Sequence, residues 1–342
     1  MMKRSVWSRR VAGMVGVSMA LAGGLAARTA AAEEVHQVAT FDPTLGQLPE
    51  SIAADGHGNF FLTMGTTVRE LTPDGQLSVV ATLPLPAGAS TAGVALDADG
   101  NILVVSDAFA PIPLAARLWK ISPPGAGPVT VDVVATFPPE AFLNDLVIDD
   151  DGTVLITDSF LGRIWKVDCA GQTSVWLSSS LLDGNPAAPI LPVHSLGANG
   201  AVFDAGKRNL LVGNLDYGQI LRVRIQRRRD GEAVAGRTEI LAQDPRLAGA
   251  DGIALDRKGT LYVGVNIRDR IATVDRHGTV AVVAEGGLLD GPSSLVFGTT
   301  HRTRKTLFIS NFAIGRALGF VPGAPHPGVV SLEVPEPGVP LL

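Results

Sequence analysis

Apolar and polar positions alternate along this chain in short bursts. Residues 146–157 show the unit most clearly: LVID, then the polar stretch DDGT, then VLIT. Two apolar runs of strand length around a glycine-bearing turn predict a β-hairpin, and helical periodicity is nearly absent elsewhere. The hairpin recurs as ESIAADGHGNFFLT (50–63), AGVALDADGNILVVS (92–106), NDLVIDDDGTVLIT (144–157), NGAVFDAGKRNLLVG (199–213), DGIALDRKGTLYVG (251–264) and SSLVFGTTHRTRKTLFIS (293–310). Successive starts lie 42, 52, 55, 52 and 42 residues apart. A third strand follows, as in RIWKVD (163–168) and QILRVRI (219–225), and then a fourth, as in VDVVATF (131–137) and VAVVAEG (280–286). Four short strands per repeat, six times over, predict an all-β, six-bladed β-propeller. VHQVATF (35–41) matches a fourth strand with nothing before it, and the last repeat lacks one. The N-terminal strand is therefore expected to complete the last blade, which removes two open sheet edges.

The repeats begin after a different kind of segment. Lys3, Arg4, Arg9 and Arg10 precede an apolar run from Val11 to Ala27 that ends in the small residues Ala30-Ala31-Ala32. This is the layout of a secretory signal peptide cleaved after Ala32, and the run is short and glycine-broken for a membrane span. The expected organisation is a leader, 1–32, and a single propeller domain, 33–342, exported to the periplasm or secreted, with no stable membrane insertion after cleavage. Ser8-Arg9-Arg10 leaves Sec and twin-arginine export both open.

Charge then narrows the partners. The chain has 28 Lys and Arg against 33 Asp and Glu; without the five basic leader residues the remainder carries 23 against 33, a net −10. That balance argues against nucleic acid and for cations. Cys169 is the single cysteine, so no internal disulfide staples the fold.

The starts of the repeats carry the candidate chemistry. The first strand of a propeller blade lines the central channel, so residues opening each repeat ring one mouth of it. They are Glu50, Ala92, Asn144, Asn199, Asp251 and Ser293. Polar residues are unusual at strand positions. Asn199-Gly200 and Asp251-Gly252 taken alone also read as turn dipeptides. Two carboxylates and two carboxamides together offer an oxygen-only ligand set, which suits a hard divalent cation: calcium first, magnesium or manganese next, zinc less. The second strand of each hairpin returns to the same end, placing Asp107, Asp158, Asn214 and Asn311 one layer out. Asp158 and Asn214 share repeats with Asn144 and Asn199 and are the better candidates for substrate contact or support of the ligands. His194, in the long insert 178–197 before Asn199, could help as a base, although an isolated loop histidine is more often inert.

The motifs PES (49–51), NDLVID (144–149), ANGAVFD (198–204) and ADGIALD (250–256) resemble the SMP-30/gluconolactonase/LRE family of six-bladed propellers, and more distantly paraoxonase-like and strictosidine-synthase-like propellers. The resemblance covers nearly all of the chain after the leader. It implies one divalent metal held by Glu50, Asn199 and Asp251, with Asn144 near the metal or the substrate and Asp251 as general base. Gluconolactonase-like members carry an arginine for sugar acids two residues before the Asn-Asp motif; here that place is Phe142. The expected function is metal-dependent hydrolysis of a lactone or related ester, the cation acting as a Lewis acid. The rival is a non-catalytic exported propeller that binds a ligand or protein around a structural metal. Phe142, Phe160 and Tyr217 hint at an apolar substrate group.

Overall fold

A computed structural model describes residues 34–339 apart from 126, 192, 193 and 230. The leader and its cleavage point after Ala32 lie outside the described residues. The described chain forms six four-stranded antiparallel sheets. In the first five, the strands follow sequence order, as in Leu143–Ile148, Val154–Asp158, Arg163–Val167 and Thr173–Ser178 of the third sheet. The innermost strands touch one another in succession, and the strand at Pro292–Phe297 in the sixth sheet touches the one at Ile52–Ala54 in the first. The sheets are therefore the blades of a closed six-bladed β-propeller.

The last blade is completed by the N-terminal strand, as its pattern predicts. Val35–Thr40 runs antiparallel to Gly328–Glu333, pairing Val35 with Leu332 and Thr40 with Gly328. Strands that would each present an open edge thus satisfy one another. The adjoining seam between blades six and one is sewn by hydroxyls: Ser51 Oγ donates to Ser294 Oγ (3.3 Å), and Ser293 Oγ donates to the Glu50 carbonyl (2.5 Å).

The core lies between blades, because each sheet buries both faces against its neighbours. Ala92, Leu143, Ile156 and Trp165 belong to the cluster between blades two and three, and Leu211, Ile253, Val263 and Val274 to the one between blades four and five. This is why the inner hairpins read as continuous apolar runs rather than strict alternation. Among the described residues the one α-helix is the single turn Ile314–Ala317, in the loop between the second and third strands of blade six.

Candidate functional site

Asn144, Asn199 and Asp251 are strand residues held in a shared irregularity, and not turn dipeptides, whereas Glu50 lies just before its strand. In blade three Leu143 pairs with Asp158 and Leu146 with Ile156, so Asn144 and Asp145 stand opposite Thr157 alone. The same break sets Asn199-Gly200 against Gly213 and Asp251-Gly252 against Gly264. Two residues facing one is a β-bulge, which re-aims a side chain out of the pleat. The break recurs in blade two at Ala92-Gly93 and, with the single residue Ser293, in blade six, while blade one pairs in register.

The second residue of each pair sits where neighbouring inner strands approach most closely. A Cβ on Gly200 would lie 2.3 Å from the Asp251 carbonyl oxygen, and one on Gly252 would lie 2.4 Å from that of Ser293. Both neighbours are backbone and cannot yield, so glycine follows Asn199 and Asp251 for packing reasons. Blade three departs by carrying Asp145. Its carboxylate accepts from the Leu146 N–H (2.8 Å) and, across the gap, from the Ala201 N–H of blade four (2.8 Å). Burial pushes this carboxyl up to about 6.

Glu50, Asn199 and Asp251 come together at the mouth. Asp251 is buried, and its Oδ2 accepts from Asn266 Nδ2 at 2.5 Å. Burial pushes its carboxyl up to about 7, against the pull of the Asn266 and Asn199 amides. Glu50 is pushed well above the usual carboxylate range, first by burial and then by the charges of Asp251, Asp107 and Asp145. No neighbouring cation offsets any of these, so every named influence on Glu50 disfavours its charged form. Glu50 Oε2 and Asn199 Oδ1 are out of reach of solvent and have no hydrogen-bond partner. Asn144, in the equivalent bulge of blade three, is also buried. Glu50 itself is anchored by its backbone: its N–H donates to the Thr63 carbonyl (2.9 Å), and its own carbonyl accepts from Ser293.

This donor set fits a divalent cation by its chemistry. A buried oxygen without a partner costs about 1–3 kcal/mol, and a buried carboxylate without a counter-charge costs more. A hard cation would relieve both at once. Among the described residues no three His, Cys, Asp or Glu side chains converge tightly enough to form a ligand cluster on their own. The set depends instead on carboxamides working beside two carboxylates, which favours an oxygen-seeking ion over zinc.

The outer layer behaves differently. Asp158 is fully buried, and its Oδ1 accepts from the N–H groups of Phe142 (3.1 Å), Phe160 (3.2 Å) and Leu161 (3.1 Å). Its Oδ2 accepts from Trp165 Nε1 at 2.9 Å. Four donors saturate it, so it fixes the loop 159–162 and the entry to blade three. Asn214 does the same for the long insert: Nδ2 donates to the carbonyls of Leu181 (3.0 Å) and Asp183 (2.9 Å). Asp216, just after the same strand, accepts from the insert's N–H groups at Asn185, Ile190 and Leu196. His194 is exposed, and its ring packs on Phe160, centroids 4.7 Å apart, and on Phe109 at 6.0 Å. It is part of an aromatic wall. Phe142 belongs to that wall, its ring 4.6 Å from Phe160 and 4.7 Å from Phe109.

Two contributors escape a reading of the sequence. Asn266 lies one residue past the hairpin end at Val265, in a short 3-10 turn (Asn266–Arg268), where the repeat pattern gives no reason to look. Asp145 is visible as a polar residue, but its bridge to Ala201 depends on strand spacing.

Comparison with known proteins agrees with this architecture. The model of the SMP-30/gluconolactonase/LRE-like region matches residues 129–312, more than half of the chain. A search of curated proteins finds no match. Among solved structures, a putative gluconolactonase is similar with a TM-score of 0.63 at 16% identity, covering 91% of this chain and 95% of its own. A luciferin-regenerating enzyme is similar at 0.62 and 12%, covering 89% and 98%. The calcium-binding protein regucalcin from Agrobacterium tumefaciens is similar at 0.60 and 16%, also covering 89% and 98%. At these identities the structures speak to the fold alone. With the family match running from the last strand of blade two into blade six, over more than half of the chain, the chain belongs to the SMP-30/gluconolactonase/LRE-like family.

Proposed function

We propose that the protein is an exported, divalent-cation-dependent hydrolase of lactones or related esters. The observation that carries this reading is the pair of buried, unpartnered oxygens, Glu50 Oε2 and Asn199 Oδ1, beside an Asp251 carboxyl pushed up to about 7. Glu50, Asn199 and Asp251 would hold the cation, with Asn144 beside them. Calcium suits the set best, and magnesium or manganese also fits it. When bound, such an ion supplies Lewis-acid polarisation of a carbonyl. The chain's own contribution is positional. Asn266 orients the Asp251 carboxylate, which would take a proton from an attacking water. That water's oxygen joins the carbonyl carbon, the C–O bond to the leaving alkoxide breaks, and the proton ends on the released hydroxyl. Asn199 and Asp251 stand on strands and Glu50 is tied by its backbone to Thr63 and Ser293, the kind of anchoring that electrostatic preorganisation requires.

The test is turnover of a panel of lactones and aryl esters in calcium buffer, in chelator and after calcium is restored. Activity lost in chelator, recovered with calcium and reduced at least about 100-fold in Asp251→Asn supports the reading. Full activity in chelator would remove the metal from it. Export predicts a mature protein in the periplasm or medium that begins at Glu33; a full-length cytoplasmic product would contradict that part.

One observation favours a second reading. Phe142 stands where related lactonases carry an arginine for sugar acids, so the family's polar substrate handle is missing. A propeller that holds calcium for stability and binds a ligand without turning it over would bind calcium with no member of the panel hydrolysed.

A further inference from the structure

An apolar wall stands on the same face as the oxygen-lined mouth, on the side of blades two to four. It is assembled from four separate segments. Phe109 follows the second strand of blade two, and Phe142 leads into the inner strand of blade three two residues before Asn144. Phe160 follows the second strand of blade three, and His194 ends the insert before blade four. Their rings form one contact set: 4.7 Å between Phe109 and Phe142, 4.6 Å between Phe142 and Phe160, 4.7 Å between Phe160 and His194. Leu196 and Leu215 back it from below. The wall is rigid because Asp158 saturates its carboxylate on the N–H groups of Phe142 and Phe160. Its front remains open: Phe109 is 44% exposed although aromatic, and His194 is exposed.

Two charged side chains near the mouth are engaged within the protein. Asp158 is used up within the wall. Across the mouth, on blades five and six, Arg316 is locked between Asp269 (2.6 Å) and Asp290 (2.5 Å). A substrate whose carbonyl sits at Glu50, Asn199 and Asp251 therefore meets, on this flank, the aromatic faces of the wall.

We infer that the accessible side of this wall, Phe109, Phe160 and His194 with the buried Phe142 packed behind them, is the binding surface for an apolar, ring-bearing substituent of the substrate. The natural substrate is then an aryl- or alkyl-substituted lactone or ester and not a polyhydroxylated sugar lactone. This rests on the hydrolase reading for its chemistry, but the wall can be tested without turnover. Covering a phenyl ring on such a surface contributes on the order of tenfold or more in affinity.

Two measurements separate the claims. The first is calorimetric titration of wild type and Phe109→Ala, in calcium, with the phenyl-substituted γ-lactam, a stable analogue of γ-phenyl-γ-butyrolactone. The second is kcat/KM on γ-phenyl-γ-butyrolactone, γ-butyrolactone and gluconic acid δ-lactone. Phe109 is partly exposed, so its truncation spares the core, and Phe109→Leu is expected to recover part of the loss. The inference predicts that wild type binds the lactam and Phe109→Ala binds it about tenfold more weakly. It also predicts that the preference for the phenyl lactone over γ-butyrolactone falls by a similar factor, mainly through KM. Lactam binding that follows Phe109 without any lactone turnover would keep the wall and discard the hydrolase. Turnover that prefers the gluconic lactone, with Phe109→Ala changing no ratio, would keep the hydrolase and overturn the wall, as would equal lactam binding by both proteins or none by either.

Discussion

Asp251 and Asp158 are both buried aspartates at the same end of the propeller, yet their surroundings are opposites. Asp158 is ringed by donors: three loop N–H groups and an indole use all its capacity. Asp251 has carboxamide neighbours and shares its region with Glu50, Asp107 and Asp145, with no cation among the influences on it. The difference separates two jobs that a residue type alone cannot. A satisfied buried carboxylate holds loops in place. One with only carboxamide partners and no cation, next to orphaned oxygens, fits a ligand that arrives from outside.

The sharpest way to break this contrast is to remove Asp158. Asp158→Ala leaves four buried donors without an acceptor, and we expect a loss of about 4 kcal/mol in denaturant unfolding. Calcium stoichiometry should be unchanged in the fraction that folds. A loss under 1 kcal/mol would mean that Asp158 is no scaffold.

The opposite sign is expected at Asp251. In chelator its folded pKa, about 7, lies above the ordinary 3.8. The folded state then binds the proton more tightly than the unfolded chain. The resulting stabilisation is complete below the ordinary pKa and is lost as pH rises through about 7. Chelated wild type should therefore lose stability between pH 5 and pH 8, and Asp251→Asn should flatten that part of the profile. At the alkaline end the variant should be the more stable by about 2 kcal/mol. A wild-type profile that rises with pH in chelator would contradict the picture of uncompensated acids.

A smaller effect sharpens the role of Asn266. Asn266→Ala frees Asp251 Oδ2 but removes no ligand, so calcium affinity should fall about tenfold, roughly 1.4 kcal/mol, with stoichiometry intact. A complete loss of binding would make Asn266 a ligand in its own right.

The architecture was legible because it repeats. Six hairpins with the same apolar pattern define six blades, and the unmatched strand at 35–41 announces closure. The ring at the mouth was legible for the same reason: Glu50, Asn144, Asn199 and Asp251 occupy one position in the repeat, and Ala92 shows that the fold does not need a polar residue there. What the pattern hides is hydrogen-bond supply. Asp158 and Asn214 also occupy one repeat position, but whether they are free depends on N–H and carbonyl groups in irregular loops. Glycine after Asn199 and Asp251 looked equally like a turn signal; only the 2.3 and 2.4 Å approaches to the next strand show that it is a packing requirement. The wall was half visible, since Phe142 and Phe160 lie near the mouth in sequence. Phe109 joins them from another blade through a loop with no repeat signature.

Glu50, Asn199 and Asp251 are proposed to hold one divalent ion jointly. The most direct test is calcium titration of chelator-stripped protein by calorimetry, for wild type, Glu50→Gln, Asn199→Ala and Asp251→Asn. One site is expected in the wild type, with a loss of at least about 100-fold in affinity in each variant and the folded propeller retained. Equal calcium affinity in all four proteins would contradict it.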